Sequence, residues 1–360
     1  MSSKKIYVIC PFPKGVAAGQ RLKYEQYFDQ WVENGFQVKV SSYMSMFMWK
    51  VAYSKGNYFL KILGIFIGHI RRIRDLFFIH NYDIVYVFMW VTPFGTTFFE
   101  RLIRIFSKKI IYDIEDNVLT TRSSELNRIT KLLKNQKKNK FLIESADHVI
   151  TSSPVLNNHC VEINKNKQCT YISSSVNTST FSPSNLYQNN TKIVIGWTGT
   201  FSSKKYLDSL RSVLIELNKK CDFKLRVIGN FEYSFPEIDL EVIQWSIKNE
   251  VKDMQGIDIG IYPLVKDQWV LGKSGLKAIQ YMSFGLPTVA TNIGTSLDII
   301  QHLKNGWLVS NNSEWVEALT ELIQNPLLRE RLGKQARKTV VDNYSTSVIG
   351  EKYLSIINKI

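Results

Sequence analysis

The chain has 360 residues, 44% of them hydrophobic and 21% charged, with a formal net charge of +15. That apolar content excludes a disordered or collagen-like chain, and the length predicts about two domains. Four cysteines without a C-x-x-C pair exclude a disulfide framework and a zinc site, and predict reduced thiols in a cytosolic setting.

The first apolar run, inside MSSKKIYVICPFP, is too short for a signal peptide. IYVIC (6–10) predicts a buried strand, followed by a loop with Gly15 and Gly19. LKYEQYFDQWVEN (22–34) predicts a helix with Leu22, Tyr27, Trp31 and Val32 on its apolar side, closed by Gly35. FQVKVSS (36–42) predicts the next strand. FLKILGIFIGHI (59–70) is the greasiest segment, but Lys61 lies within it and Arg71, Arg72 and Arg74 follow. A spanning helix needs about 20 mostly apolar residues, so this is not one. Further strands are expected at 83–90, 109–115 and 148–153, and a second series at 192–199, 224–230, 258–264 and 286–292. Such alternation of strands and helices predicts an α/β fold with parallel sheets. The polar stretch SPSNLYQNNT (182–191) separates the two series as a linker. Two Rossmann-like domains facing a central cleft would bind ligands at the carboxyl ends of their strands. Residues 314–360 read as helical, with Trp315, Leu319 and Leu322 at helical spacing, a break at Asn325-Pro326 and a last helix from about 346.

Charge is unevenly placed. Residues 1–188 hold 25 Lys and Arg against 13 Asp and Glu, a net +12, which leaves +3 for the rest. Two basic stretches, RRIR (71–74) and KLLKNQKKNK (131–140), sit beside Leu, Ile and Phe. Three explanations stand open. One is a solvated helix face. Another is nucleic acid, although no helix-turn-helix, zinc-finger or RRM signature accompanies the basic residues. The third, which the apolar and basic mixture in 58–78 favours, is an anionic membrane surface.

The strongest local signal is VLGKSGLKAIQYMSFGLPTVAT (270–291). Ser274 is the expected N-cap of a helix of about ten residues ending at Gly285, with Pro287 beyond it. A helix N-terminus offers backbone N–H groups to an anion, and Gly272 and Gly275 let a phosphate approach. Lys273, Lys277 and Gln280, spaced i, i+4, i+7, share a face if the helix reaches that far. In YDIEDN (112–117), Asp113 and Glu115 project to one side of a continuing strand and Asp116 to the other. Such carboxylates suit acid-base work or a metal, and equally a solvated N-cap cluster. The five histidines show no metal-ligand spacing, and no nucleophile motif is present.

In this order and spacing, GKSGLKAIQYMSFGLPTVAT, NGWLV (305–309), the tail from Trp315 to Tyr344, ESADHVITSSPVL (144–156) and SSSVNTSTFSP (173–183) resemble the family 4 glycosyltransferases over nearly the whole chain. The resemblance implies a retaining enzyme of the GT-B fold that works without a metal or cofactor. It implies an acceptor domain at 1–184, a nucleotide-sugar domain at 185–340, and a last helix, 341–360, packing back on the first domain. It also implies a UDP- or GDP-sugar donor. Donor contacts would come from Gly199, Thr200, Lys205, Lys273, Ser274, Gly275, Leu276 and Gln280. Lys277 would stabilise the leaving diphosphate. Gly19 and Arg21 would lie against donor and acceptor, and Glu115 or Asp116, supported by Asp113, would stand near the acceptor hydroxyl.

The chain departs from the family where a glutamate pair is usual, with Gly272 and Gln280 in those places, so the first glutamate's role is either absent or passed to a neighbour such as Asp267. Thr200 stands where the family often has arginine, and Ser174, Ser175 and Asn177 alter the segment around Val176. The expected role is transfer of a sugar to a lipid-linked glycan acceptor in surface-polysaccharide synthesis. The expected location is cytoplasmic, peripheral on the inner face of the plasma membrane, with no nucleic-acid partner. A degenerate GT-B member, a sugar-nucleotide epimerase or a glycan phosphorylase, and a non-enzymatic basic binding protein are the rivals.

Overall fold

A computed structural model describes residues 4–54, 56–115, 136–184 and 192–360. The chain forms two units. The first contains Met1–Ser173, Gly272–Ser274 and Gly350–Ile360, and the second contains Ser174–Leu271 and Gly275–Ile349.

The first unit is built on β1 (Lys5–Cys10), β2 (Gln37–Ser42), β3 (Ile84–Phe88), β4 (Lys109–Ile114), β5 (His148–Thr151) and β6 (Cys169–Tyr171). They lie in the order β2-β1-β3-β4-β5-β6, all parallel, with Val8 opposite Tyr86 and Tyr86 opposite Ile111. Runs such as IVYVF are buried throughout, as expected of strands covered on both faces. The order reverses between β1 and β3, which opens a crevice at the carboxyl ends of the strands there.

The second unit repeats the plan with β7 (Ile193–Gly199), β8 (Phe223–Gly229), β9 (Leu240–Gln244), β10 (Ile259–Tyr262), β11 (Thr288–Thr291) and β12 (Trp307–Val309). Their order is β12-β11-β10-β7-β8-β9, again parallel, with the reversal between β7 and β10. Each unit is Rossmann-like, and the fold is GT-B.

Three short strands carry no periodic signal in the sequence. β6 and β12 have three residues each, and β9 is a half-buried edge strand without a continuous apolar run. The helix expected over 22–34 is also different. It is split into helix Ala18–Arg21, a 3-10 turn Glu25–Tyr27 and helix Phe28–Glu33. Lys23 and Glu25 point inward here, which a regular amphipathic helix would not allow. Leu22, Tyr27 and Trp31 are buried, but Val32 is 55% exposed. Residues 131–135 of the second basic stretch and 185–191 of the expected linker lie outside the described residues.

Helix Tyr58–Leu76 carries the RRIR cluster. It is docked by Gly64, Gly68, Arg72 and Asp75, its buried positions. A Cβ on Gly68 would overlap the Tyr43 ring, so the close approach depends on glycine. Arg72 is fully buried and donates to the carbonyls of Cys10 (2.9 Å) and Val91 (2.8 Å) while pairing with Asp75 at 2.7 Å. Among the described residues no helix is long and apolar enough to cross a membrane.

Candidate functional site

In the second unit Gly199, Thr200 and Lys277 gather at the carboxyl end of β7. The strand ends at Gly199, and Thr200 and Ser203 form a capping box that starts the 3-10 turn Phe201–Ser203. The Lys277 ammonium reaches into this turn. It donates to the Ser203 hydroxyl at 3.3 Å and lies 4.7 Å from the centroid of the buried Trp197 ring. A Cβ on Gly199 would sit 2.7 Å from that ammonium and overlap Trp197. Gly199 is therefore the residue that makes room for Lys277.

Lys277 belongs to the first turn of helix Leu276–Ser283, which is eight residues long. Its N-cap is Gly275, not Ser274. The cap has φ +71°, a left-handed conformation that favours glycine, and a Cβ there would overlap Ile299. No cap side chain bonds the first N–H groups, so the positive end of the helix offers backbone donors beside Lys277. The helix is locked from behind. Tyr281 is buried against Gly260, and its hydroxyl accepts the Thr198 N–H at 2.7 Å. Burial raises the Tyr281 pKa, so it stays protonated.

Other expectations need correction. The helix begins after Lys273, so the face shared by Lys273, Lys277 and Gln280 does not form, and only Lys277 and Gln280 stand one turn apart. Gln280 is 5% exposed and donates to Glu250 at 3.3 Å. A carboxylate from helix Glu250–Gln255 thus stands beside the glutamine, a neighbour that nothing local to Gln280 marks. Lys205 pairs with Asp267 at 3.9 Å, and Asp267 also accepts the Val270 N–H at 2.7 Å. Ser274 is buried and Leu276 half-buried.

In the first unit the structure brings Glu115 and Gly19 together. Glu115 is the first residue past β4, half-buried, and a Cβ on Gly19 would overlap its carboxylate. Arg21 ends the same short helix as Gly19. Burial raises the Glu25 pKa, while hydrogen bonds from the Gly15 N–H and the Gln20 amide, and then Lys14 and Arg21, counter the rise. Asp116 lies outside the described residues.

Asp113 is not presented to a ligand. It is fully buried and pairs with Lys23 at 2.6 Å. The Tyr86 hydroxyl donates to it, and the Tyr353 hydroxyl approaches at 3.5 Å. Burial, then the Asp113 charge, raises the pKa of both tyrosines well above 10, so both remain donors. Lys23 also donates to the Ile114 carbonyl at 3.0 Å, fixing the strand end from which Glu115 emerges. The metal alternative for 113–116 thus loses Asp113 to the lysine. Among the described residues no group of three or more His, Cys, Asp and Glu is placed to hold a metal.

Solved structures share this architecture. Sucrose-phosphate synthase from Thermosynechococcus elongatus superposes with a TM-score of 0.74 at 14% identity, covering 99% of this chain and 98% of that one. HepE from Anabaena, in a crystal structure with UDP and glucose, gives 0.65 at 12% identity, over 99% and 100%. In sequence, 88 residues are 35% identical to poly(ribitol-phosphate) alpha-N-acetylglucosaminyltransferase of Staphylococcus aureus (strain COL), covering 23% of this chain and 18% of that protein. The chain spans less than half the length of this and three other curated relatives it matches, 47% at most. Residues 180–339, which include Gly199, the Ser203 turn, Gly275 and Lys277, match the family model of glycosyl transferases group 1.

Proposed function

We propose that the protein is a retaining glycosyltransferase that moves a sugar from a nucleoside diphosphate, UDP or GDP, to a hydroxyl of a lipid-linked glycan acceptor in surface-polysaccharide synthesis, without a metal. The observation that carries this reading is the Lys277 ammonium at the edge of Gly199, beside an uncapped helix N-terminus, within a stretch matching glycosyl transferases group 1. An ammonium and converging backbone N–H groups stabilise the charge that develops on a departing diphosphate. Reaction on the front face of the donor keeps the anomeric configuration and lets the departing phosphate take the acceptor proton. Among the described residues of the first unit, Glu115 beside Gly19 is the carboxylate that fits the acceptor side of this reaction, and Asp116 follows it in sequence. Asp113 holds its strand, and Arg21, Lys205 and Lys273 are supplementary charges for donor or acceptor. The work would take place at an anionic membrane surface, on the cytoplasmic face.

Product analysis with a labelled donor tests the reaction. Label is expected to pass to a lipid-linked acceptor with its anomeric configuration kept. Label that stays in an isomerised nucleotide sugar without acceptor would identify an epimerase instead.

A further inference from the structure

The first unit turns an apolar face outward. On helix Tyr58–Leu76 and its cap, Phe59, Ile62, Phe66, Ile70, Ile73 and Phe77 recur every three or four positions and so share one face. Their exposures run from 48% to 77%. A surface helix ordinarily buries its apolar stripe. This one buries the opposite face, with Gly64, Gly68, Arg72 and Asp75 inside. The outward stripe is about 27 Å long at the helical rise. Helix Phe98–Phe106 packs beside it and leaves Phe98 59% and Ile105 72% exposed. An apolar face of this extent marks an interaction site.

Charge identifies the occupant. Across residues 46–78 and 98–106 the carboxylates are Asp75 and Glu100. Both are fully buried and turned inward, paired with Arg72 at 2.7 Å and Lys138 at 3.3 Å. The exposed charges there are cations, among them Lys50, Arg74 and Arg101. Aromatic and aliphatic side chains with a rim of one positive sign complement an anionic bilayer. A second copy of this chain fits the face less well, because across a two-fold axis the basic rim would meet itself.

We propose that this two-helix face inserts into the headgroup region of an anionic bilayer, and that apolar insertion, more than net charge, supplies its affinity. The proposal names the membrane contact for the lipid-linked acceptor of the proposed function, and it uses no donor-site residue.

Flotation of the full chain tests it, with vesicles of phosphatidylcholine alone and with about one third phosphatidylglycerol. Wild type is compared with the double variant Phe59→Ser/Phe66→Ser. Both side chains are solvent-facing, so the variant is expected to keep its melting temperature and nucleotide binding. Wild type is expected to float with the mixed vesicles and to keep most of that binding at about 0.5 M salt, where charges are strongly screened. The variant is expected to bind about tenfold less or weaker still. Equal binding by the variant overturns the proposal, as does wild-type binding that vanishes at high salt. Absence of vesicle binding with a dimer that the variant dissolves overturns it in favour of self-association. Loss of donor binding with intact flotation counts against glycosyl transfer alone, and the reverse result against the membrane face alone.

Discussion

Gly199 and Lys277 are 78 positions apart in sequence, yet each explains the other. The ammonium occupies the space that a side chain at 199 would fill. Gly199→Ala is therefore expected to push Lys277 out of its contact with Ser203 and to press on the Trp197 ring. Overpacking of this kind destabilises by about 1–3 kcal/mol. Donor affinity is expected to fall by more than that loss of stability accounts for, measured by titration at a temperature where the variant is fully folded. Unchanged donor affinity would separate Gly199 from the site. Both residues were legible in the sequence, Gly199 at a strand end and Lys277 in a phosphate-loop pattern. Ser203 and Trp197 were not, because nothing local to FSSKK or IGWTG marks a lysine arriving from another element. Ser274 was misread for the opposite reason. A serine before a helix is a good cap on propensity alone, but the chain here needs a left-handed residue at the cap, and Gly275 supplies it.

Elements are legible in the sequence where their faces follow the usual pattern and obscured where charge lies inside. The main strands of both sheets are apolar runs and were expected within a residue or two at most ends. The 22–34 helix was not, since Lys23 and Glu25 read as solvent-facing positions and are in fact 3% and 7% exposed. Lys23 crosses to Asp113 and the end of β4, under a lid of Tyr86 and Tyr353. Removing one partner of such a pair leaves a buried, uncompensated charge. Lys23→Met is expected to cost about 3–5 kcal/mol, and adding Asp113→Asn to recover much of it, as read by denaturant unfolding. A Lys23→Met chain as stable as wild type would show that the pair does not hold the strand end beneath Glu115. The same inversion governs helix Tyr58–Leu76. Its mixed composition was plain in the sequence, but which face is buried depends on Gly68 meeting Tyr43 and on Arg72 reaching the carbonyl of Cys10.

For the molecule as a whole, the +12 of residues 1–188 survives the burial of charge. Lys23, Arg72 and Lys138 are buried with Asp113, Asp75 and Glu100, so each pair cancels, and the net positive surface is shared with exposed Phe and Ile. The nearly balanced second half holds the lysine with the clearest chemical setting. On the proposed function, this lysine receives the diphosphate of a nucleotide sugar. Calorimetric titration of the full chain with UDP-sugars and GDP-sugars, wild type beside Lys277→Ala, is the decisive measurement. One base is expected to bind wild type, and the variant to bind about 10- to 100-fold more weakly, the loss of a charged hydrogen-bonded contact, at an unchanged melting temperature. A well-folded Lys277→Ala that binds the same donor as tightly as wild type would show that Lys277 does not hold the diphosphate.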